Sequence, residues 1–352
     1  MPRRLVDIDP RPDERRLLAD LAVPAGFTGA TLDSYLPDPA EPTQAAALAT
    51  VAGFATTLAT GAAGAGTGGR VPAVRERLSR RRRRRPPAVR GLYLDGGFGV
   101  GKTHLLAAAA TALRAAGLPV VYGTFVEYTH LVGALGFAGA CDALSRSRLL
   151  CIDEFELDDP GDTMLMSTLL GRLADAGVAL AATSNTLPGA LGQERFAAAD
   201  FVREIHGLAA HFEVVHIDGP DHRRSERVAP APPLAPGELA AWVDARGTAA
   251  TLDHLDRLLA HLRAVHPSRY GALLDGVAAV GIAGTAPVSD QDAALRLVVL
   301  VDRLYDRGVP VALSGCRLGD LFPEALLAGG HRKKYGRALS RLGALTAASR
   351  TA

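Results

Sequence analysis

The stretch "GGFGVGKTHLL" at residues 96–106 decides how the rest of the chain can be interpreted. It is preceded by "GLYLD", which has the apolar pattern of a buried strand. It is followed by "HLLAAAATALRAAG", which has the composition of a helix that ends at Gly117. The sequence therefore predicts a strand, a glycine-rich turn and a helix in direct succession.

The glycine-rich turn has the spacing GxxxxGK[ST], which is typical of a phosphate-binding loop. Glycine lets backbone N–H groups approach a polyphosphate, and the N-terminus of the next helix adds partial positive charge. All but three of the 39 basic residues are arginine, and Lys102 is the one lysine before residue 333. A compact ammonium reaches the β- and γ-phosphates where a guanidinium would not fit. We predict that the nucleotide is bound by Gly96, Gly97, Phe98, Gly99, Val100, Gly101, Lys102 and Thr103.

An acidic pair follows another apolar run, "LLCIDEF" at residues 149–155. The run predicts a buried strand with Asp153 at its C-terminal end, where ligands bind in open parallel sheets. We expect Asp153 and the Thr103 hydroxyl to hold Mg²⁺, and Glu154 to polarise an attacking water. Acidic pairs after strands also act as helix caps, but the upstream loop favours the catalytic interpretation.

Two further residues are candidates for catalysis. "ATSN" ends the next predicted strand at Asn185, whose carboxamide could hold the attacking water against the γ-phosphate. Asparagine also ends many strands as a turn former. "GQERF" contains Arg195, a candidate arginine finger for a neighbouring subunit, with a surface arginine as the alternative.

The order of the predicted elements indicates the fold class and the domains. Strands and helices alternate after Pro87, which predicts an α/β parallel sheet with helices on both faces. The proline-rich "RVAPAPPLAPGE" at residues 227–238 predicts a boundary. We expect three parts. Residues 1–87 form an N-terminal segment with a helix and Gly-rich and Arg-rich linkers. Residues 88–226 form a P-loop core, and residues 227–352 form a smaller α/β or helical domain.

A stretch of the C-terminal part is similar in sequence to a stretch of the core. The stretch from Arg172 aligns with that from Arg303, and the acidic pair then falls on Gly284 and Thr285. A second strand–helix–strand unit without the acids would be structural, although any helix–glycine–strand unit gives a similar pattern.

The composition is that of an ordinary globular protein, 48% hydrophobic and 22% charged. No apolar stretch reaches the roughly 18–20 residues of a membrane span, and no apolar segment follows the N-terminal arginines. We therefore expect a cytoplasmic protein. An arginine run begins at Arg80 and ends at Arg85. It is either a solvated loop or a contact for nucleic acid or an anionic membrane surface.

The loop, the acidic pair and the strand ending in asparagine occur in the order found in AAA+ ATPases. From about residue 87 to residue 342 the chain resembles the cell division protein ZapE family and its mitochondrial ATPase relatives. The matching stretches are "GLYLDGGFGVGKTHL", "LLCIDEFELDDPGDTML", "GVALAATSNTLPGAL", "QERF", "LVDRLYDRGVPVALS" and "RALSRL". The resemblance implies ATP hydrolysis with Mg²⁺, a homo-oligomer, and a protein partner that could belong to the division machinery.

Lys102, Asp153, Asn185 and Arg195 match positions of that family, and Arg296 falls near its arginine pair, which would read the nucleotide from the second domain. The chain departs from the family at "VVYGTFVEY" and at "DHR", and the segment between loop and acidic pair is shortened. These departures leave the ATPase chemistry in place and put the family's partner in question.

Two other functions stay open. "GVGKTHLL" also resembles replication initiators and helicase loaders, which would make the chain a nucleic-acid-handling AAA+ ATPase. A C-terminal helix-turn-helix would favour that function, and the basic helix "HRKKYGRALSRLGAL" has no companion helix at turn spacing. A nucleotide-gated scaffold with little turnover is the other alternative, against which the intact Glu154 argues.

Overall fold

The computed structural model describes residues 3–11, 13–63, 91–155, 160–187, 210–220 and 230–351. The Arg-rich run, Arg195 and residues 64–69 of the predicted Gly-rich linker lie outside these residues, whereas residues 61–63 of that linker are helical. The chain forms two compact units. The first unit is Phe27–Arg223, and the second unit combines Met1–Gly26 with Arg224–Ala352.

The helices and strands of the described residues are numbered in chain order. The helices are α1 Glu14–Ala19, α2 Pro42–Ala63, α3 Lys102–Ala115, α4 Phe125–Leu144, α5 Pro160–Asp175, α6 Pro236–Asp244, α7 Leu255–Ala264, α8 Tyr270–Leu273, α9 Gln291–Asp306, α10 Glu324–Leu327 and α11 Arg332–Thr351. The strands are β1 Gly91–Gly96, β2 Val120–Thr124, β3 Leu149–Asp153, β4 Ala179–Ser184, β5 Phe212–Ile217, β6 Ala250–His254, β7 Ala279–Thr285 and β8 Val311–Gly315. None of these helices is long and apolar enough to cross a membrane.

The first unit is built on a five-stranded parallel sheet with the strand order β2-β3-β4-β1-β5. Strands β1, β3 and β4 are buried along their whole length, as their continuous apolar sequences require. Helices α2 and α3 pack on one face of the sheet, and α4 and α5 pack on the other. The predicted α/β class, a parallel sheet with helices on both faces, is confirmed.

The N-terminal segment is divided between the two units. The sequence grouped residues 1–87 together, whereas the structure assigns the residues up to Gly26 to the second unit and those from Phe27 to the first. Helix α2 contacts α3, β1 and β5, and its buried face includes Val51 and Leu58. The segment from Phe27 to the end of α2 is therefore part of the core that carries the glycine-rich loop.

The second unit is a smaller α/β structure around the parallel sheet β6-β7-β8. Helix α6 contacts all three strands, whereas α7 and α9 pack against each other, and α11 covers β8 and α9. The second strand–helix–strand unit expected from the sequence is present as β7, α9 and β8.

A buried carboxylate ties the N-terminal residues to the second unit. The side chain of Asp20 is 7% exposed, and its Oδ1 accepts bonds from Arg16 and Arg307, both at 2.8 Å. The same two arginines also bind Asp275. A Cβ on Gly271 would overlap the Asp20 carboxylate, so a side chain there would displace this carboxylate from its two arginines. This cluster joins α1 to residues near α8 and to the end of α9.

We predict that Asp20→Ala lowers the free energy of unfolding of the second unit by about 2–4 kcal/mol, because two guanidinium groups lose a buried anion. Trp242, the single tryptophan, lies in this unit, so its fluorescence during urea unfolding reports the change. Asp9→Ala is the control, since Asp9 pairs with Arg11 on the surface with both side chains more than half exposed. Equal losses in the two variants would contradict the prediction.

Candidate nucleotide site

The glycine-rich loop joins the end of β1 to the first residue of α3, as the sequence predicted. Gly96 has φ 146°, and a Cβ there would overlap the carbonyl oxygen of Ile217 on β5. Gly101 has φ 91°, and its Cβ would lie 2.5 Å from a ring carbon of Tyr35. Glycine is required at both positions by backbone conformation and by a close neighbour.

The Lys102 ammonium lies under this loop. Nζ donates to the carbonyl oxygens of Gly96 at 2.8 Å and of Gly97, and to Oδ1 of Asn185 at 2.9 Å. Only 8% of the lysine is exposed. Asn185 directly follows β4, the neighbour of β1, so parallel pairing delivers both residues to the same edge of the sheet.

Asp153 lies at the end of β3 and is 5% exposed. Its Oδ1 accepts hydrogen bonds from the hydroxyls of Thr103, at 3.2 Å, and Thr183. Its Oδ2 accepts one from the Tyr122 hydroxyl at 2.9 Å. Burial, and then the nearby Glu154 charge, raise the pKa of Asp153, while the three hydroxyl donors oppose that shift. The structure thus brings the two predicted metal ligands, Thr103 and Asp153, within hydrogen-bonding distance.

Glu154 has a backbone conformation that is uncommon for its type. Its φ of 52° lies in the left-handed region, and it is the one non-glycine residue with positive φ among the described residues. Its N–H donates to Asp153 Oδ1 at 3.2 Å and to Thr183 Oγ1 at 3.1 Å. These two bonds hold a conformation that costs on the order of 1 kcal/mol or more. Strained residues of this kind cluster at functional sites.

The segment before α2 lies over the loop, which the sequence did not predict. Tyr35 is 8% exposed and donates its hydroxyl to the carbonyl oxygen of Val100 at 3.0 Å. The imidazole of His104, in the first turn of α3, contacts Ser34 Oγ at 3.0 Å and the carbonyl oxygen of Thr31 at 3.2 Å. We call residues 27–41 the strap. Its Tyr35 bonds the loop, and its residues Thr31 and Ser34 contact the first turn of α3.

A histidine on β5 connects the base of the loop to α2. His216 Nδ1 lies 2.7 Å from Asp95 Oδ2, and Nε2 lies 3.0 Å from Asp218 Oδ1. The bond to Asp95, the residue before Gly96, raises the pKa of His216. The N–H of Asp218 in turn donates to Thr43 Oγ1 at 2.9 Å. The start of the loop is therefore braced from the neighbouring strand.

One predicted site residue belongs to the second unit. The Arg296 guanidinium binds Asp292 at 3.0 Å and the carbonyl oxygens of Leu262 and Val265 at 3.1 and 3.4 Å. These bonds cap the C-terminal end of α7. Its contact with a nucleotide stays a prediction, as do the roles of Glu154 and Asn185 and of Arg195, which lies outside the described residues.

Tyr35, Tyr122 and Thr183 were missed by the sequence analysis. Thr183 stands in "ATSN", two residues before the predicted Asn185, where a hydroxyl next to a site residue was a usable signal. Tyr122 is the buried tyrosine of the strand "VVYGT", and its hydroxyl needs a partner there. No local pattern links Tyr35 to the loop, because that contact spans 65 residues.

The residues at this edge of the sheet fit a nucleotide with its divalent cation. The loop carries glycine where β5 and Tyr35 approach it, and it ends at the N-terminus of a helix of 14 residues, where backbone N–H groups can receive an anion. A hydroxyl and a carboxylate, from Thr103 and Asp153, are the oxygen ligands that Mg²⁺ prefers. The fold and this edge define an α/β protein of the P-loop class.

Comparison with known proteins identifies the family. A model of the AFG1-like ATPase family matches residues 13–238 and 238–351, so the chain belongs to this family. Cell division protein ZapE of Escherichia coli (strain K12) is 31% identical over 144 residues. That match covers 38% of this chain and 38% of the length of ZapE.

The chain also matches parts of two solved structures, DnaI and the replication initiator DnaA. DnaI is 19% identical with a TM-score of 0.40, and the match covers 57% of this chain and 94% of that one. The replication initiator DnaA bound to AMPPCP and single-stranded DNA is 15% identical with a TM-score of 0.39. That match covers 55% of this chain and 50% of the DnaA chain.

We predict that Tyr35→Ala weakens nucleotide binding about fivefold or more, because the loop loses a hydrogen bond worth about 1 kcal/mol and the ring that covers Gly101. The measurement is the Kd of a fluorescent ATP analogue. Tyr305→Ala, a substitution of a 39% exposed tyrosine in the second unit, is the matched control. Wild-type affinity in a folded Tyr35→Ala protein would show that the strap does not support the loop.

Proposed function

We propose that this chain hydrolyses ATP in a Mg²⁺-dependent reaction and couples hydrolysis to remodelling or positioning a protein partner. The observation that carries the proposal is the convergence of Lys102, Thr103, Asp153 and Asn185 within hydrogen-bonding distances at one edge of a parallel sheet. The relative's name, cell division protein ZapE, suggests that the partner belongs to the division machinery.

The loop and its lysine bind and orient the phosphates. Backbone N–H groups of residues 97–101 and the N-terminus of α3 would receive phosphate oxygens, and Lys102 would bring a compact charge with three donors. Thr103 and Asp153 hold the cation beside them. When bound there, Mg²⁺ supplies positive charge that neutralises the phosphate oxygens as charge develops on them.

Glu154 and Asn185 act on the attacking water. Glu154 is partly buried at the end of the same strand as Asp153, and its carboxylate would accept the proton of the water. The Asn185 carboxamide binds Lys102 at 2.9 Å and would orient that water against the terminal phosphate. The bond between Lys102 and Asn185 keeps these functions in one network.

Coupling requires a second copy of the chain. We propose a homo-oligomer in which Arg195 of one subunit reaches the nucleotide of its neighbour and stabilises the transition state. Contacts of Glu154, Asn185 and the neighbour's Arg195 with the terminal phosphate would then transmit the nucleotide state across the subunit contact.

The first experiment measures the ATPase rate per subunit against protein concentration at saturating Mg²⁺. Glu154→Gln is the blank, since the amide keeps the shape of the side chain but cannot accept the proton. We expect a rate that rises with concentration in the wild type and falls at least a hundredfold in Glu154→Gln, while ATP binding is retained.

The alternatives give different results in this assay. A wild-type rate equal to that of the blank would favour a nucleotide-gated scaffold. A wild-type rate in Glu154→Gln would assign the base to another residue. Lys102→Ala is the binding control and should lose ATP affinity, because the loop then lacks its one ammonium.

The assignment of Arg195 is tested by mixing two inactive variants. Lys102→Ala cannot bind nucleotide but keeps Arg195, whereas Arg195→Ala keeps a complete loop but lacks the finger. If Arg195 acts on a neighbour, the mixture should hydrolyse ATP well above the sum of the separate rates, because mixed oligomers contain intact sites. A rate equal to that sum would show that Arg195 does not act between subunits.

A further inference from the structure

The carboxylate of Asp153 is held by a different hydroxyl on each oxygen. Tyr122 donates to Oδ2 at 2.9 Å from the adjacent strand β2, and Thr183 donates to Oδ1 from the adjacent strand β4. Both donors are buried, with exposures of 1% and 2%. The two bonds come from opposite sides of β3, since this strand lies between β2 and β4.

This arrangement removes the rotational freedom of the carboxylate. A carboxylate turns easily about its Cβ–Cγ bond, and the χ2 angle of aspartate has no sharp preference of its own. Hydrogen bonds from neighbouring side chains therefore decide which angle it takes. A bond at Oδ2 fixes the plane of the group, so that Oδ1 faces the Thr103 hydroxyl at 3.2 Å. Without Tyr122, Oδ2 would lose the hydroxyl that bonds it in a buried site, and the group could turn away from Thr103.

We infer that Tyr122 and Thr183 are positioning residues that orient Asp153 and thereby set the affinity of the site for a divalent cation. Neither residue needs to touch the cation or the nucleotide. The inference rests on the proposed function, since it assumes that Asp153 and Thr103 hold the cation. Hydrogen-bonded neighbours of metal ligands typically change metal affinity by about 10- to 100-fold when they are removed.

A second buried tyrosine of the same unit provides a matched control for the removal of a buried hydroxyl. Tyr128 on α4 is also buried, and its hydroxyl donates to the carbonyl oxygen of Cys151 on β3 at 2.8 Å. Tyr122→Phe and Tyr128→Phe each remove one buried hydroxyl that bonds the same strand. Only the first of these hydroxyls bonds the carboxylate.

The experiment measures the Kd of a fluorescent ADP analogue with Mg²⁺ and with EDTA. The Kd in EDTA divided by the Kd with Mg²⁺ gives the contribution of the cation. We expect Tyr122→Phe to reduce this ratio about tenfold while its affinity in EDTA is retained. Tyr128→Phe should keep the wild-type ratio. Thr183→Val should reduce the ratio as well, and Thr183→Ser, which keeps the hydroxyl, should restore it.

A wild-type ratio in Tyr122→Phe and in Thr183→Val would overturn the inference and leave the proposed function intact. If Tyr122→Phe does not fold, the Thr183 pair decides by the same criterion. Absence of any Mg²⁺ effect in the wild-type protein would overturn both the inference and the proposed Mg²⁺ site. An equal reduction in Tyr128→Phe would show that loosening β3, rather than orienting the carboxylate, is the cause.

Discussion

The pairing of β1 between β4 and β5 is the constraint on which the site depends. Residues Leu92–Asp95 pair with β4, and Gly91–Gly96 pair with β5, so both edges of β1 are occupied along the strand. This pairing brings the Ile217 carbonyl against Gly96 and places Asn185 beside Lys102. The conformation of the glycine-rich loop is thus set by its neighbouring strands as well as by its own sequence.

The site residues near the ends of buried strands could be predicted from the sequence. Asp153 ends β3, Asn185 directly follows β4, and Lys102 and Thr103 follow the glycine-rich loop after β1. Parallel strands bring such residues to a common edge. The α/β class followed from the same alternation of strands and helices. Local periodicity and a short motif carried the information for the fold class, which is confirmed, and for the positions of these residues at one edge of the sheet, whose roles stay a prediction.

The remaining parts of the site depend on contacts between residues far apart in sequence. Tyr35 meets Val100 across 65 residues, and Tyr122 meets Asp153 across 31. No periodicity indicates such a pair, because each residue satisfies an ordinary burial pattern by itself. The division of the N-terminal segment at Gly26 has the same origin, since the Asp20 carboxylate finds its partners in Arg16 and Arg307, the latter 287 residues away.

The second unit shows that the topology alone does not create the chemistry. Its β7–α9–β8 segment repeats the arrangement that carries the acidic pair in the first unit, but the equivalent positions are Gly284 and Thr285. Gly284 has φ 64°, a conformation that residues with a Cβ rarely adopt, and a Cβ there would also meet the imidazole of His254, so this position favours glycine over a carboxylate. The Thr285 hydroxyl donates to the carbonyl oxygen of Ser314 at 3.2 Å and joins two strands. The same backbone path is therefore used here for stability, and the proposed chemistry stays with the residues at the edge of the first sheet.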